Sequence, residues 1–216
     1  YQPVVRTITE TFCGMEALAR WVDPQYGFLN PAVFIGALEE SRQIHKLDSH
    51  VINIVCREMR AELDAGKPIV PVSFNLSRLD FIGCDIFDVV ERALKKYSID
   101  REYIRVEITE SIMASDSYVQ SEIQRFRLVG YEVWMDDFGS GYSSLNTLKD
   151  YKFDELKIDM AFLSNFNDAS RTIISSTVRM AKNLGLKTLA EGVETKEQMD
   201  FLKGIGCEKV QGYFYG

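Results

Sequence analysis

Tyr131–Leu145, YEVWMDDFGSGYSSL, is the stretch on which the reading of the chain turns. It begins as a strand: Val133 and Met135 alternate with Glu132 and Trp134, with no breaker among them. It then meets two adjacent carboxylates, Asp136 and Asp137, followed by Phe138, Gly139, Gly141 and a serine-rich turn. Two carboxylates at a strand end repel unless a counter-charge joins them, and a divalent cation held by oxygen ligands is a common remedy. The glycines let the following loop approach a ligand closely. On this stretch alone, a strand with an acidic turn is an equal reading, and the rest of the chain decides.

The chain has 216 residues, which suits one core, and its 46% apolar and 26% charged content is that of an ordinary globular protein. No apolar run reaches the ~20 residues of a membrane span and no signal peptide is visible, so the expected setting is cytoplasmic, without membrane contact by this domain. The net charge of −7, with no Lys/Arg block, argues against general nucleic-acid binding. Cys13, Cys56, Cys84 and Cys207 lack C-x-x-C spacing and read as scattered thiols. His45 and His50 do not share a helix face. Any metal would therefore sit on oxygen ligands, which favours Mg²⁺ or Mn²⁺.

Taken in order, the pattern predicts strands at Tyr1–Val5 and Phe12–Ala19, too closely linked for a parallel crossover and so antiparallel. After a turn at Asp23–Gly27, Asn30-Pro31 starts a helix running to about Lys46, and Asp48 caps the next, which Gly66 stops. Further strands are expected at Ile69–Phe74, Tyr103–Thr109, the Tyr131 stretch, Phe153–Ile158, Leu186–Ala190 and Glu208–Tyr213. Helices fall between them at Ile86–Tyr97, Ser117–Leu128, Ala169–Leu184 and Lys196–Ile205. Alternation from the third strand onward predicts an α/β fold, a TIM-like (β/α)8 barrel with an antiparallel first strand, as a single domain over 1–216. A doubly wound open sheet is the alternative, but no glycine-rich dinucleotide loop follows any strand.

The strand ends are the functional signal. Strands two to eight offer Glu16, Asn75, Glu107, Asp136 with Asp137, Lys157, Glu191 and Gln211, and a closed barrel aims them at one centre. With Glu194 that makes six carboxylates against Lys157 and Arg20, a charge balance that calls for about two divalent cations. Paired metals are a standard device for phosphodiester hydrolysis.

Glu16-Ala17-Leu18 with Arg20 resembles the signature of the EAL domain family, which hydrolyses the bacterial messenger cyclic di-GMP. The resemblance continues through Gln2-Pro3, Asn75-Leu76-Ser77, Glu107-Ile108-Thr109-Glu110, Asp136-Asp137-Phe138-Gly139, Lys157-Ile158-Asp159, Glu191-Gly192-Val193-Glu194 and Gln211-Gly212-Tyr213. It covers the whole chain. Ala19 and Ser140 depart slightly from the family pattern, and flanking helices look truncated. The resemblance implies two ions of Mg²⁺ or Mn²⁺ per site, pGpG as product, a homodimer, and an upstream diguanylate cyclase or sensory domain in the full-length protein. It also implies Glu16, Asn75, Glu107 and Asp136 as ligands of one metal, with Asp136 bridging to a second held by Asp137 and Glu191. Lys157 would steady the attacking water, and Glu191, Lys157 and Asp137 form the catalytic group. Gln2, Leu18, Arg20, Glu194 and Gln211 would contact or support the substrate, and Glu110 would support the loop Phe138–Ser144. The competing reading is a cyclic di-GMP receptor that does not cut; such receptors usually lack metal ligands, and none is missing here.

Overall fold

The computed structural model describes residues 1–109, 117–139, 148 and 151–215. Eight strands close into a barrel: β1 (Gln2–Arg6), β2 (Phe12–Ala17), β5 (Val72–Leu76), β6 (Ile104–Thr109), β7 (Glu132–Phe138), β8 (Glu155–Ile158), β9 (Lys187–Ala190) and β10 (Lys209–Gln211). The order round the ring is β1-β10-β9-β8-β7-β6-β5-β2, with β1 antiparallel to both neighbours and every other pairing parallel. The expected barrel and its antiparallel first strand are therefore present.

Three local features differ from the sequence reading. The turn at Asp23 is a small hairpin of β3 (Trp21–Asp23) and β4 (Gly27–Leu29), in which Asp23 Oδ1 accepts from the backbone N–H of Gln25 and Tyr26. The first helix, α1 (Pro31–Glu40), stops early. Arg42 takes a left-handed φ of 56°, and the N–H groups of Arg42 and Gln43 close back on Glu39 and Leu38. That is a Schellman ending with arginine in the place where glycine usually announces the stop. The second helix, α2 (Ile44–Asp64), consequently starts earlier than expected, and Asp48 lies inside it and is not its cap. Two short helices also form in the loops, α3 (Arg78–Gly83), with a Ser77/Asp80 capping box, and α6 (Ala161–Ser164).

The remaining helices follow the pattern: α4 (Ile86–Tyr97), α5 (Ser117–Leu128), α7 (Asp168–Asn183) and α8 (Lys196–Ile205). The core lies between these helices and the outer barrel wall. Val72, Phe74, Ile104, Val106, Ile108, Val133, Met135 and Leu156 are essentially inaccessible there. Each such side chain contributes on the order of 2 kcal/mol by leaving water.

The inward faces are organised in layers. Cross-strand partners share a face, so the pairings Ser73↔Glu16, Asn75↔Glu107, Glu107↔Trp134, Trp134↔Glu155, Lys157↔Leu189, Leu189↔Lys209 and Val4↔Gln211 trace the lumen. Alternate strands supply successive layers, as in other barrels of this shape. Gln2, Asn75, Asp136 and Glu191 lie at the carboxyl-end mouth, with Glu16, Glu107, Lys157 and Gln211 beneath. Val4, Ser73, Trp134 and Leu189 form the third layer, in which Val4, Trp134 and Leu189 pack as one apolar cluster. Below it Arg105 and Lys187 pair with Glu132, and Lys209 pairs with Glu155.

Candidate active site

The two layers nearest the mouth are polar throughout and converge on Lys157. Its ammonium, with no exposed surface, pairs with Glu107, with Asp136 Oδ1 at 2.9 Å, with Glu191 Oε1 at 3.0 Å and with Glu16 Oε2 at 3.4 Å. Burial alone would strip the lysine of its proton. The carboxylates outweigh that and hold it well above the ordinary lysine range, so Lys157 is a fixed cation.

Glu16 is pinned from three sides. Asn75 donates to its Oε1 at 2.8 Å, and Gln211, which also donates to Gln2 at 2.8 Å, donates to its Oε2. Burial works against the Glu16 charge, but Lys157 and these donors bring its carboxyl below the usual range. Glu107 is fully buried, and burial, joined by the charges of Glu16 and Asp136, pushes it well up despite Lys157.

Asp136 and Asp137 reach the mouth together because β7 carries a bulge. Met135 pairs with Leu156, yet Phe138 pairs with Ile158, so β7 spends one residue more than β8 there. Asp137 occupies the extra position at φ 56°. A regular strand would turn two consecutive side chains to opposite faces. Burial first, then Asp136 and Asp159, raise Asp137 to about 6, while burial raises Glu191 to about 7 against the pull of Lys157. Gly212 fixes the last two strand ends relative to each other. A Cβ there would lie 2.3 Å from the backbone of Val193, whose N–H bonds to Gln211.

Carboxylate oxygens of Glu16, Glu107 and Asp136 lie within 4.8 Å of one another, and so do those of Asp136, Asp137 and Glu191. Asp136 belongs to both groups. Glu107 Oε1 is buried and has no hydrogen-bond partner among the described residues. One ammonium facing five carboxylates, an all-oxygen donor set and that orphaned atom fit divalent cations such as Mg²⁺ or Mn²⁺.

A cavity of about 720 Å³ opens above the cluster, large enough for a dinucleotide-sized ligand. Gln2, Leu18, Asn75, Asp136, Asp137, Glu191 and Gln211 line it. Arg20 and Glu194 do not: Arg20 is exposed and donates to the Ala19 carbonyl, and Glu194 is exposed. Glu110 and Ser140–Ser144, and with them the expected loop support, lie outside the described residues. Sequence reasoning missed acidic groups at the site, Asp159 and Asp48 among them. Asp159, two residues beyond Lys157, contacts Asp137. Asp48, on the cavity wall, contacts Asp80. The alternation Lys157-Ile158-Asp159 signalled the first; no local pattern signals the second.

The family model for the EAL domain matches residues 1–216. The chain belongs to the EAL domain family. Among curated relatives, it is 36% identical over 219 residues to the bifunctional diguanylate cyclase/cyclic di-GMP phosphodiesterase MucR of Pseudomonas aeruginosa, covering all of this chain and 32% of MucR. It is 36% identical over 218 residues to the oxygen sensor protein DosP of Escherichia coli, covering all of this chain and 27% of DosP. This EAL chain thus spans about a third of such relatives or less. Among solved structures, the PaMucR phosphodiesterase in complex with c-di-GMP superimposes with a TM-score of 0.92 at 36% identity, covering all of this chain and 89% of that one. The EAL enzyme Bd1971, bound to cAMP and cyclic di-GMP, also gives 0.92, at 30% identity over all of this chain and 60% of that one. Among the described residues, no helix of the EAL chain is long and apolar enough to cross a membrane.

Proposed function

We propose that this EAL domain hydrolyses cyclic di-GMP to linear pGpG with two divalent cations, Mg²⁺ or Mn²⁺. The observation that carries the reading is the pair of carboxylate groups sharing Asp136. Its setting, an EAL barrel like that of the c-di-GMP-bound PaMucR phosphodiesterase, supports the substrate.

Glu16, Asn75, Glu107 and Asp136 would hold one cation, and Asp136, Asp137 and Glu191 the other. When bound, such a pair supplies an activated water and neutralises charge on the phosphodiester. The chain's own residues do the rest. Asn75 and Gln211 orient Glu16 through hydrogen bonds. Lys157, permanently charged beneath the mouth, stabilises the negative charge that develops on the phosphoryl oxygens. Glu191, whose carboxyl burial raises to about 7, would take a proton from the attacking water. Gln2 and Leu18 form part of the wall against which the substrate rests. Arg20 reaches a substrate phosphate by swinging from its exposed position, a movement open to a long surface side chain. Dimerisation, and an upstream cyclase or sensory domain in the full-length protein, belong to the same proposal.

The test is incubation of the domain with cyclic di-GMP, with and without Mg²⁺ and with a chelator, followed by chromatography. Appearance of pGpG only with the metal supports the reading. Retention of intact nucleotide, bound but uncut with either metal, would instead make the domain a receptor.

A further inference from the structure

Beneath the candidate active site the lumen carries a second charge network that the proposed reaction does not use. Glu155 and Lys157 are two residues apart on β8 and both face inward. Glu155 is fully buried; its Oε2 accepts from Lys209 at 2.6 Å, and its Oε1 has no hydrogen-bond partner among the described residues. Lys157, an ammonium on a flexible four-carbon stem, therefore shares the inward face of β8 with this carboxylate two residues below it, while its ammonium pairs with four others.

The layer between them is the apolar septum, and Trp134 is its largest member. Trp134 comes from β7 and pairs in register with Glu107 on one side and Glu155 on the other. It packs with Val4 and Leu189, and Leu189 is itself the register partner of Lys157. The underside of the indole meets the lower network directly. The Lys209 ammonium lies 4.5 Å from the ring centroid, and the indole N–H reaches Glu132 at 3.3 Å. The ring is thus anchored from below, and Trp134 is only 5% exposed.

We infer that Trp134 is a positioning residue for Lys157: the indole separates Lys157 from Glu155 and so keeps the ammonium turned up into the carboxylate cluster. The inference rests on the function proposed above for Lys157. Without the septum, Lys157 has two competing sets of partners, and water entering the lower lumen stabilises the wrong one. Glu155 then draws the ammonium down. The upper carboxylates lose their fixed cation, and the charge developing on phosphate loses its stabiliser. Trp134 touches neither the mouth nor the cavity, so its removal acts on turnover through Lys157 and leaves the substrate wall intact.

The experiment compares Trp134→Ala, Trp134→Leu and Trp134→Ala/Glu155→Gln with the parent. The readouts are kcat and KM for cyclic di-GMP and a metal-free crystal structure of each folded variant. Trp134→Ala is expected to lower kcat about 10- to 100-fold with KM within about threefold, the signature of an interaction made in the transition state. Lys157 is expected within hydrogen-bond distance of Glu155 in its crystal structure. Trp134→Leu, which keeps an apolar blocker and guards against a simple folding failure, should retain most of the rate. Removing the Glu155 charge in the double variant should restore kcat and the upward position of Lys157. The inference is overturned if Lys157 stays on the upper carboxylates in Trp134→Ala, or if the double variant turns over no faster than Trp134→Ala. A parent that does not cleave cyclic di-GMP contradicts the proposed function, while the Lys157 position in the crystal structures still decides the role of Trp134.

Discussion

Asp136 and Asp137 are consecutive in the chain, yet both contribute oxygens to the same carboxylate group with Glu191. The bulge in β7 and the left-handed backbone of Asp137 make this possible. A side chain with a Cβ holds that conformation at a cost of about 1 kcal/mol. The conformational cost and the ligand role of Asp137 can therefore be separated. Asp137→Gly should keep or slightly raise the melting temperature, because glycine adopts positive φ freely. The same change should remove the weaker of two Mn²⁺ binding events in a calorimetric titration. Unaltered binding of two ions would detach Asp137 from the metal site.

Lys157 is the only cation paired with four carboxylates of the cluster among the described residues. Replacing it leaves buried negative groups without compensation, a change that costs about 3–5 kcal/mol in comparable ion pairs. Lys157→Met should thus lower the melting temperature markedly in chelator. Added Mn²⁺ should recover more of it than it adds to the parent, since the metal then supplies the missing charge. Equal Mn²⁺ shifts in both proteins would count against this charge balance.

Glu16→Ala and Asp136→Ala should each reduce cleavage of cyclic di-GMP by about 1,000-fold or more, consistent with loss of a metal ligand. Their stabilities should differ. Glu16 accepts from Asn75, Gln211 and Lys157, so its loss takes one buried partner from each, and the metal-free Glu16→Ala protein should melt below the parent. Arg20→Ala should raise KM and leave kcat nearly unchanged, because a guanidinium that swings onto phosphate binds without joining the chemistry. A loss confined to kcat would show that Arg20 acts at the reacting centre.

Asp48 and Asp80 predict a pH dependence of stability. Burial, reinforced by Asp80 and Glu39, raises Asp48 to about 9, and burial raises Asp80 to about 6. Their unfolded values lie near 4. Between these limits the folded protein binds more protons than the unfolded chain, so this contribution is full below pH ~4 and is lost as pH rises through 6 and 9. The parent should lose several degrees of melting temperature, on the order of 2–8 °C, between pH 6 and pH 9. Asp48→Asn, which keeps the shape without the charge, should flatten that slope. An identical slope in the variant would place the pH dependence elsewhere.

The barrel and its mouth were legible in the sequence because each strand ends on a polar residue after a period-two apolar run, and the short Arg6–Thr11 link permits only an antiparallel first pair. Glu16, Asn75, Glu107, Asp136, Lys157, Glu191 and Gln211 do converge in the structure. What escaped the reading was set by backbone conformation or by shear. Arg42 and Asp137 adopt left-handed φ values without a glycine to announce them. The hairpin at Trp21–Leu29 is two strands of three residues, too short for alternation to register. The apolar septum depends on which strands lie two apart round the ring, and no local pattern records that. Asp48 meets Asp80 only because α2 packs against α3, a tertiary contact with no local signature.

The central claim is that Asp136 is shared by two metal sites at one barrel mouth. It is tested most directly by anomalous diffraction from crystals of the domain soaked in Mn²⁺. The account predicts two Mn²⁺ peaks about 3.5–4 Å apart. Asp136 should bridge them, with Glu16, Asn75 and Glu107 on one ion and Asp137 and Glu191 on the other. A single peak at saturating Mn²⁺, or two peaks with Asp136 bound to neither, would contradict it.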